Sequence, residues 1–566
     1  MNRQMVIVLQ AASRFLHDML GVWDSVSEEM PDGRKPRGIR WALGHVLGNL
    51  LLGKLLGLRS LRGVEFLTDM CQGASSTAGT FGGRRMSDST AHNVLEATGE
   101  ESMSHVLVKF GQHLHRQKML SPVRTGVIQG KAVHVVGYDG QKSIKSDEPQ
   151  PSPYHRKSHT VKEKEGEELV QKKRDYWIVG AANAVLTSSA APVCLGQKTI
   201  VDGNENAAVL ALDKSMTDNY RWLRPGEVLK LADALHGTVD FFAQQGNPYD
   251  KAEPGHFAGT TLKGTNKLIY KEAIRATNLR MLTKKADATT KFERSGHNRW
   301  VKRELFLVET NRAFGKSIHD ARDNRAEWAI LDEEQWPTIT LIACVKQTTR
   351  YKNAKARDKV RQIRKQKARG EEQSTRHEQA GDLDIEYRYF QFNIKRKDVR
   401  PADVLVFVRK LWEIESYHNQ LVQVMNIKSG DWATLNQAPI AMIALCAIAM
   451  NLVGLFRQRR LRQAGGRLNI SYPQLIQVFT MVLAAHVLKD ILPFQEKPAT
   501  EETTDDLGED TLEELYQKRF SGKELETIMF LMKKVVARAL KDAKSWLTKK
   551  ISVFTAVLEE LPLLSH

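Results

Sequence analysis

Apolar residues recur at helical spacing from Trp41 to Leu58, and Ser60 to Met70 opens another stretch of that kind. A basic turn, Pro31 to Arg37, precedes them, and Ser87-Asp88-Ser89-Thr90 reads as an N-cap for a helix through Leu95. From about residue 131 the pattern changes. Ala132 to Tyr138, Tyr176 to Val185 and Pro192 to Val201 are apolar runs of strand length, separated by polar segments. A helix is expected over Glu205 to Tyr220, a fourth strand over Glu227 to Ala232, a helix over Thr238 to Gln245, and a fifth strand over His256 to Leu262. Three strands, a helix, then strand, helix and strand is the order of an α/β domain of the RNase H-like kind.

Further strand-like pieces follow at Glu304 to Val308, Thr338 to Ala343 and Glu386 to Phe392, which reads as a β-rich insertion. Ser146 to Arg174 and Arg350 to Leu383 are too charged and too poor in large apolar residues to form cores, so both are expected to be loops. Ala438 to Phe456 is the strongest apolar run, near membrane-spanning length. Pro439 and Asn451 within it favour a buried core helix over a span. Ile470 to Leu492 is expected to be helical and to begin a separate C-terminal piece. An acidic linker, Pro498 to Asp510, and an amphipathic lysine-rich helix over Thr511 to Leu564 follow it.

The expected division is a helical N-terminal domain over 1–125 and the first part of the RNase H-like domain over 126–265. The β-rich insertion with its basic loop covers 266–398, the returning helices of the RNase H-like domain 399–460, and a helical C-terminal extension 461–566. The length of 566 residues fits several domains.

The formal net charge is +18, a surplus that favours a polyanionic partner through counterion release. The cysteines (Cys71, Cys194, Cys344, Cys446) are far apart and form no CxxC pair, which points away from zinc and disulfides and toward a reducing cytoplasm. No small-residue cleavage site follows the short apolar N-terminus, so no signal peptide is expected.

The candidate chemistry lies in acids. Asp139 follows the first strand and Asp233 ends the fourth. In the expected fold these strands are neighbours, so the two carboxylates would lie side by side. A third acid belongs on the helix containing Leu411-Trp412-Glu413-Ile414-Glu415-Ser416. Glu413 and Glu415 would point about 200° apart, so only one can face the pair, and spacing leaves the choice open. A lone Asp after a strand is ordinarily a turn or capping residue; the order and fold positions of all three make the stronger case. Carboxylates at such positions suit Mg²⁺ or Mn²⁺, two ions roughly 3.5–4 Å apart, for phosphoryl transfer.

These motifs resemble a DDE transposase of the insertion-sequence, H-repeat-associated type. Asp139-Gly140-Gln141-Lys142 (one residue longer than the family's Asp-Gly-Lys), Lys198 with Asn204-Glu205 (across a longer gap than the family's), Asp233-Ala234, Leu262-Lys263-Gly264-Thr265-Asn266 and His297-Asn298-Arg299-Trp300-Val301-Lys302-Arg303 resemble the family's motifs in order. Val301 replaces a family Glu, and Gly430-Asp431-Trp432-Ala433-Thr434 keeps the Asp and Ala of a later motif without its basic residue. Trp412-Glu413-Ile414-Glu415-Ser416 echoes the family's Trp-x-Ile-Glu-Asn and selects Glu415 as the third acid.

The resemblance spans roughly residues 13 to 456. It implies that Asp139, Asp233 and Glu415 are the catalytic residues and hold two Mg²⁺ or Mn²⁺ ions. It further implies cleavage and joining of double-stranded DNA by a homodimer or larger assembly, in a bacterial, nucleoid-associated cytoplasmic setting with no membrane. Lys142, Lys263, Arg299 and Arg303 are expected at the DNA. Tyr351 to Arg369, with nine Lys or Arg and one Asp, is either a solvated loop or a phosphate-contacting one. His236 and His418, near the second and third acids, are read as hydrogen-bonding neighbours ahead of proton carriers. The alternatives are a catalytically silent, domesticated transposase-derived DNA-binding protein, and a simpler RNase H-like nuclease or resolvase.

Overall fold

The computed structural model describes residues 3–491 except 29, 36–38, 71–82, 124, 166–167, 234, 236–238, 263–266, 296–298, 310–340, 355–356, 359–360, 363–375, 381–382, 428–437 and 461–470. Lys263, His236, His297, Gly430 to Thr434, most of the basic segment after Tyr351, and the expected elements from Pro498 onward lie outside the described residues.

Helices open the chain: α1 (Arg3–Ser27), α2 (Leu43–Leu55), α3 (Leu61–Met70), α4 (Asp88–Ala97) and α5 (Glu100–Arg116). α4 starts where its cap signal lies, with the Ser87 side chain accepting from the Thr90 N–H. After a short hairpin of β1 (Val127–Ile128) and β2 (Lys131–Ala132), β3 (His134–Ser146), β4 (His155–Glu165), β5 (Glu168–Leu186) and β6 (Val193–Thr199) follow. α6 (Glu205–Asn219), β7 (Val228–Ala232), α7 (Val239–Gln245), β8 (Phe257–Leu262) and α8 (Lys267–Thr283) come next. Then come β9 (Ala288–Thr289), β10 (Glu293–Arg294), β11 (Arg299–Glu309), β12 (Leu341–Tyr351), β13 (Arg376–Ala380) and β14 (Leu383–Phe392). The helices α9 (Pro401–Gln423), α10 (Ala438–Leu455) and α11 (Tyr472–Ile491) close the described chain.

The molecule is mixed α/β, built on one large mixed sheet. Its strand order is β10-β11-β12-β14-β8-β7-β3-β5-β4, with β6 beside β5, β13 beside β14 and β9 beside β11. β3, β5 and β6 are antiparallel neighbours, whereas β7 runs parallel to β3 and β8 parallel to β7. The later strands do not form a sheet of their own: β14 pairs with β8, Tyr389 opposite Leu262, and so continues the same sheet. β7 reads as a continuous apolar run interrupted by Lys230, and all five of its residues are buried, as expected of a strand covered on both faces.

Two readings of the sequence are corrected. The segment Ser146 to Arg174 is not a loop: β4 and the outer half of β5 form a long antiparallel ribbon, from His155 opposite Ile178 to Glu165 opposite Glu168. Low apolar content rules out a core, but a two-stranded ribbon needs only its ladder and cross-strand pairs. Arg156 is ion-paired to Asp175 across it, and Ser158 donates to the same carboxylate at 2.5 Å. The segment Arg350 to Leu383 is also strand at its ends, where β12 runs through Tyr351 and β13 pairs with β14.

α10 is long and apolar enough to cross a membrane, and here it is a core helix, buried at every position but the half-buried Ile440. Asn451 within it spans the backbone of Cys194, accepting from its N–H and donating to its carbonyl, both at 2.8 Å. α11 is not a piece apart. Phe479 packs against Phe15 of α1 and against Phe456, with ring centroids 5.5 and 5.2 Å away. Cys194, Cys344 and Cys446 are buried free thiols.

α9 covers one face of β3 and α6 the other. Gly137 makes the first contact possible, since a Cβ there would overlap Ile414 of α9. On the opposite face Tyr138 donates to Asp213 of α6 at 2.6 Å.

Candidate functional site

β3 and β7 run parallel with Gly137 opposite Leu231 and Tyr138 opposite Ala232. Asp139 is the next residue of β3. That strand runs on to Ser146, so Asp139 lies within it and not just after it as expected, because the ladder with β5 continues past the apolar run. Asp233 directly follows β7, and both acids are half-buried. Adjacency in register, the expectation for these acids, is therefore what the sheet builds. α9 crosses the Asp139 face of the sheet. Its Glu415 reaches solvent but sits among protein groups that raise its pKa: desolvation first, opposed by Arg388, then reinforced by Asp233, Asp139 and Glu386. Glu415 thus feels both aspartates. Among the described residues, no three His, Cys, Asp or Glu side chains are gathered closely enough to enclose a metal ion as they stand.

Glu413 is turned elsewhere. Lys410, almost fully buried, lies 3.0 Å from its carboxylate and donates to the Thr187 carbonyl at 2.7 Å. The two glutamates of α9 are separated by the helical geometry that spacing required, and Glu415 is the one near enough to Asp139 and Asp233 for their charges to raise its pKa.

Asp139 is held at both oxygens. Oδ1 accepts from the Gly140 N–H at 2.9 Å, and His418 Nδ1 lies 3.2 Å from Oδ2. His418 is one turn beyond Glu415 on α9, and its Nε2 is 3.1 Å from Asn183 Nδ2. Gln141 donates from Nε2 to the His418 carbonyl at 3.3 Å. A hydrogen-bonding neighbour of the acids is the role in which His418 is found.

Behind the acids lies a buried network that sequence reading missed. Lys230 and Asp213 form an ion pair at 2.8 Å with side chains 4% and 1% exposed. Tyr138, Gln244 and Gln245 also donate to Asp213. Burial alone would raise the Asp213 pKa; Lys230 and these hydrogen bonds hold it below the usual carboxylate range. The network joins α6, α7, β3 and β7 next to the two aspartates. Lys230 inside an otherwise apolar strand was the available signal.

The basic candidates diverge. Lys142 is half-exposed, 3.9 Å from Glu205. Arg299 is exposed, with Nε donating to the Ser295 carbonyl at 2.9 Å. Arg303 is turned inward: its side chain is 13% exposed and its guanidinium lies 5.2 Å from the Trp412 ring. Burial, with Arg409, Arg388 and Arg299 nearby, lowers its pKa against Glu293. Arg388 also stacks on Trp412, at 4.9 Å, so β11 and β14 both grip α9 three residues before Glu415. Val301, where the resembled motif has Glu, is buried in the core. Lys198 is ion-paired to Glu100 of α5 at 2.5 Å, and Asn204 caps α6 by accepting from Ala207 at 3.1 Å. Within the basic segment after Tyr351, Arg361 is bound to Asp384 at 2.5 Å.

No protein-family model matches the chain, and neither does any curated protein. Among solved structures it is similar to a piggyBac transposase determined by cryo-electron microscopy as a synaptic complex with hairpin DNA. The TM-score is 0.36 and the identity 10%, over 89% of this chain and 91% of that one. A likeness so distant leaves the function to the site itself.

Proposed function

We propose that this chain is a DDE DNA transposase of the insertion-sequence, H-repeat-associated type, with an RNase H-like catalytic core that cleaves element ends and joins their 3′-hydroxyls to target DNA. The observation carrying this reading is the parallel pairing of β3 with β7, which sets Asp139 beside Asp233, with Glu415 near them on α9. The strand order supports it: three antiparallel strands, α6, β7, α7 and β8, with β3, β7 and β8 parallel, is the order such a core would need.

The donor set fits Mg²⁺ or Mn²⁺. It consists of hard carboxylate oxygens, and Mg²⁺ retains several waters and takes only one or two carboxylates, so the adjacent aspartates suffice without a closed cage. Asp139 and Asp233 would hold the ions with Glu415 as the third ligand; such ions, when bound, activate the attacking oxygen and stabilise the leaving one. The protein's own part is orientation. Gly140 and His418 fix the Asp139 carboxylate, and the guanidiniums of Arg303 and Arg388 against Trp412 hold the turn before Glu415.

Double-stranded DNA is the proposed partner, with half-exposed Lys142, exposed Arg299, and Lys263 contributing phosphate contacts. A homodimer or larger assembly would pair two ends. Metal-dependent cleavage and strand transfer on a DNA bearing the element's terminal repeats test the reading. Asp139→Asn, Asp233→Asn and Glu415→Gln should each lower cleavage by at least about a thousandfold while DNA affinity stays within about threefold. Full cleavage by any one removes that residue from the assignment. Binding without cleavage by the unaltered protein would instead favour a silent descendant, and cleavage without strand transfer a nuclease.

A further inference from the structure

Which nitrogen of His418 carries its proton is decided on the far side of the ring. Nε2 lies 3.1 Å from Asn183 Nδ2, and Asn183 is fully buried. Its amide is not free to turn over. Nδ2 also lies 3.3 Å from the Ala181 carbonyl, while Oδ1 accepts from Gln197 Nε2 at 2.7 Å and from the Cys194 thiol. The reversed amide would set oxygen against the Ala181 carbonyl oxygen and NH2 against the Gln197 NH2, two repulsive contacts in place of two hydrogen bonds. The NH2 group therefore faces His418, and an amide NH2 can only donate. Nε2 must be the bare, accepting nitrogen.

The ring proton then sits on Nδ1, aimed at Asp139 Oδ2 at 3.2 Å. We infer that His418 is a positioning residue, locked by Asn183 as the Nδ1–H tautomer that orients Asp139. With Nε2 covered by an amide donor and Nδ1 already bearing its proton, the ring has no open lone pair. It holds Asp139 and does not accept a proton during the reaction. The catalytic consequence rests on the transposase reading; the tautomer does not.

Two readouts keep these apart. In the full chain labelled with ¹⁵N-histidine, the His418 resonances are assigned by their loss in His418→Asn. A protonated, pyrrole-type Nδ1 and a bare, pyridine-type Nε2 are expected; the opposite tautomer or a doubly protonated ring overturns the inference. The second readout is cation-dependent DNA cleavage, with thermal midpoints measured alongside. Asparagine places an amide nitrogen where Nδ1 stands, so His418→Asn should keep activity within about tenfold. His418→Gln and His418→Ala, which lose that donor, should fall by about 100-fold, the upper range for groups that orient a metal ligand. Equal loss in all three variants would assign proton transfer to the ring, and no loss in any would show that Asp139 needs no holding; both overturn the inference. If the alanine variant unfolds, the asparagine and glutamine pair still decides. If the unaltered protein does not cleave, the transposase reading fails while the resonances still settle the tautomer.

Discussion

Gly137→Ala adds one methyl group at the point where α9 rests on β3. A Cβ there would overlap Cδ1 and Cγ1 of Ile414, whose side chain is 1% exposed and has nowhere to retreat. Overpacking of this kind costs about 1–3 kcal/mol, here taken up by lifting α9 or forcing Ile414 off its rotamer. Ile414 adjoins Glu415 in sequence, so a lift of α9 moves Glu415 from Asp139 and Asp233, and a displacement of about 1 Å can cost about 100-fold in rate. The partner change, Ile414→Ala, should cost about 2–5 kcal/mol through the cavity it leaves. In the double variant the new methyl enters that cavity, so the two costs should fall short of adding by about 1 kcal/mol or more. Denaturant midpoints for the four proteins, with cleavage rates beside them, measure the cycle. Strict additivity, or a Gly137→Ala protein as stable and active as its parent, would refute close approach as the reason for glycine.

His256, 7% exposed at the start of β8, has its pKa pushed down to about 4, mainly by burial, then by Lys230. The unfolded chain takes up this proton near pH 6.5 and the folded chain does not until about pH 4, so its contribution makes stability fall as pH drops through that window and levels off below it. His256→Gln should flatten that part of a stability–pH curve; an unchanged slope would refute the assignment. Arg303 and Arg299 should separate in a salt titration of DNA binding. Arg299→Ala should reduce the slope of log affinity against log salt by about 1, whereas Arg303→Ala, which empties one face of Trp412, should lower thermal stability and leave the slope unchanged. A slope change in Arg303→Ala would return that residue to the DNA surface.

Much of the fold was legible because its signals are local. Val135, Val136, Leu229 and Leu231 form apolar runs short enough to be strands, and Asp139 and Asp233 stand at their ends. Once the two strands pair in parallel, the acids must be neighbours. Other features were hidden because their cause is distant in the chain. The β4–β5 ribbon draws its stability from cross-strand pairing between residues such as Arg156 and Asp175, which composition does not display. Helical spacing could say that Glu413 and Glu415 diverge but not which lay near the aspartates; Lys410, bridging Glu413 to Thr187, holds Glu413 away from them. Arg303 looked like a surface cation because a sequence does not reveal that Trp412 of α9 lies over it. The Lys230–Asp213 pair joins a strand to a helix, and neither residue alone announces the other.

The seam between β8 and β14 gives the middle of the chain mechanical standing. Asp139 and Asp233 belong to the strands on one side of it, while Arg303 and Arg388, which clamp the helix bearing Glu415, belong to the other. The later strands therefore act as an outrigger. A change in the twist of the sheet at Tyr389 opposite Leu262 would swing the third carboxylate relative to the first two without touching any of them.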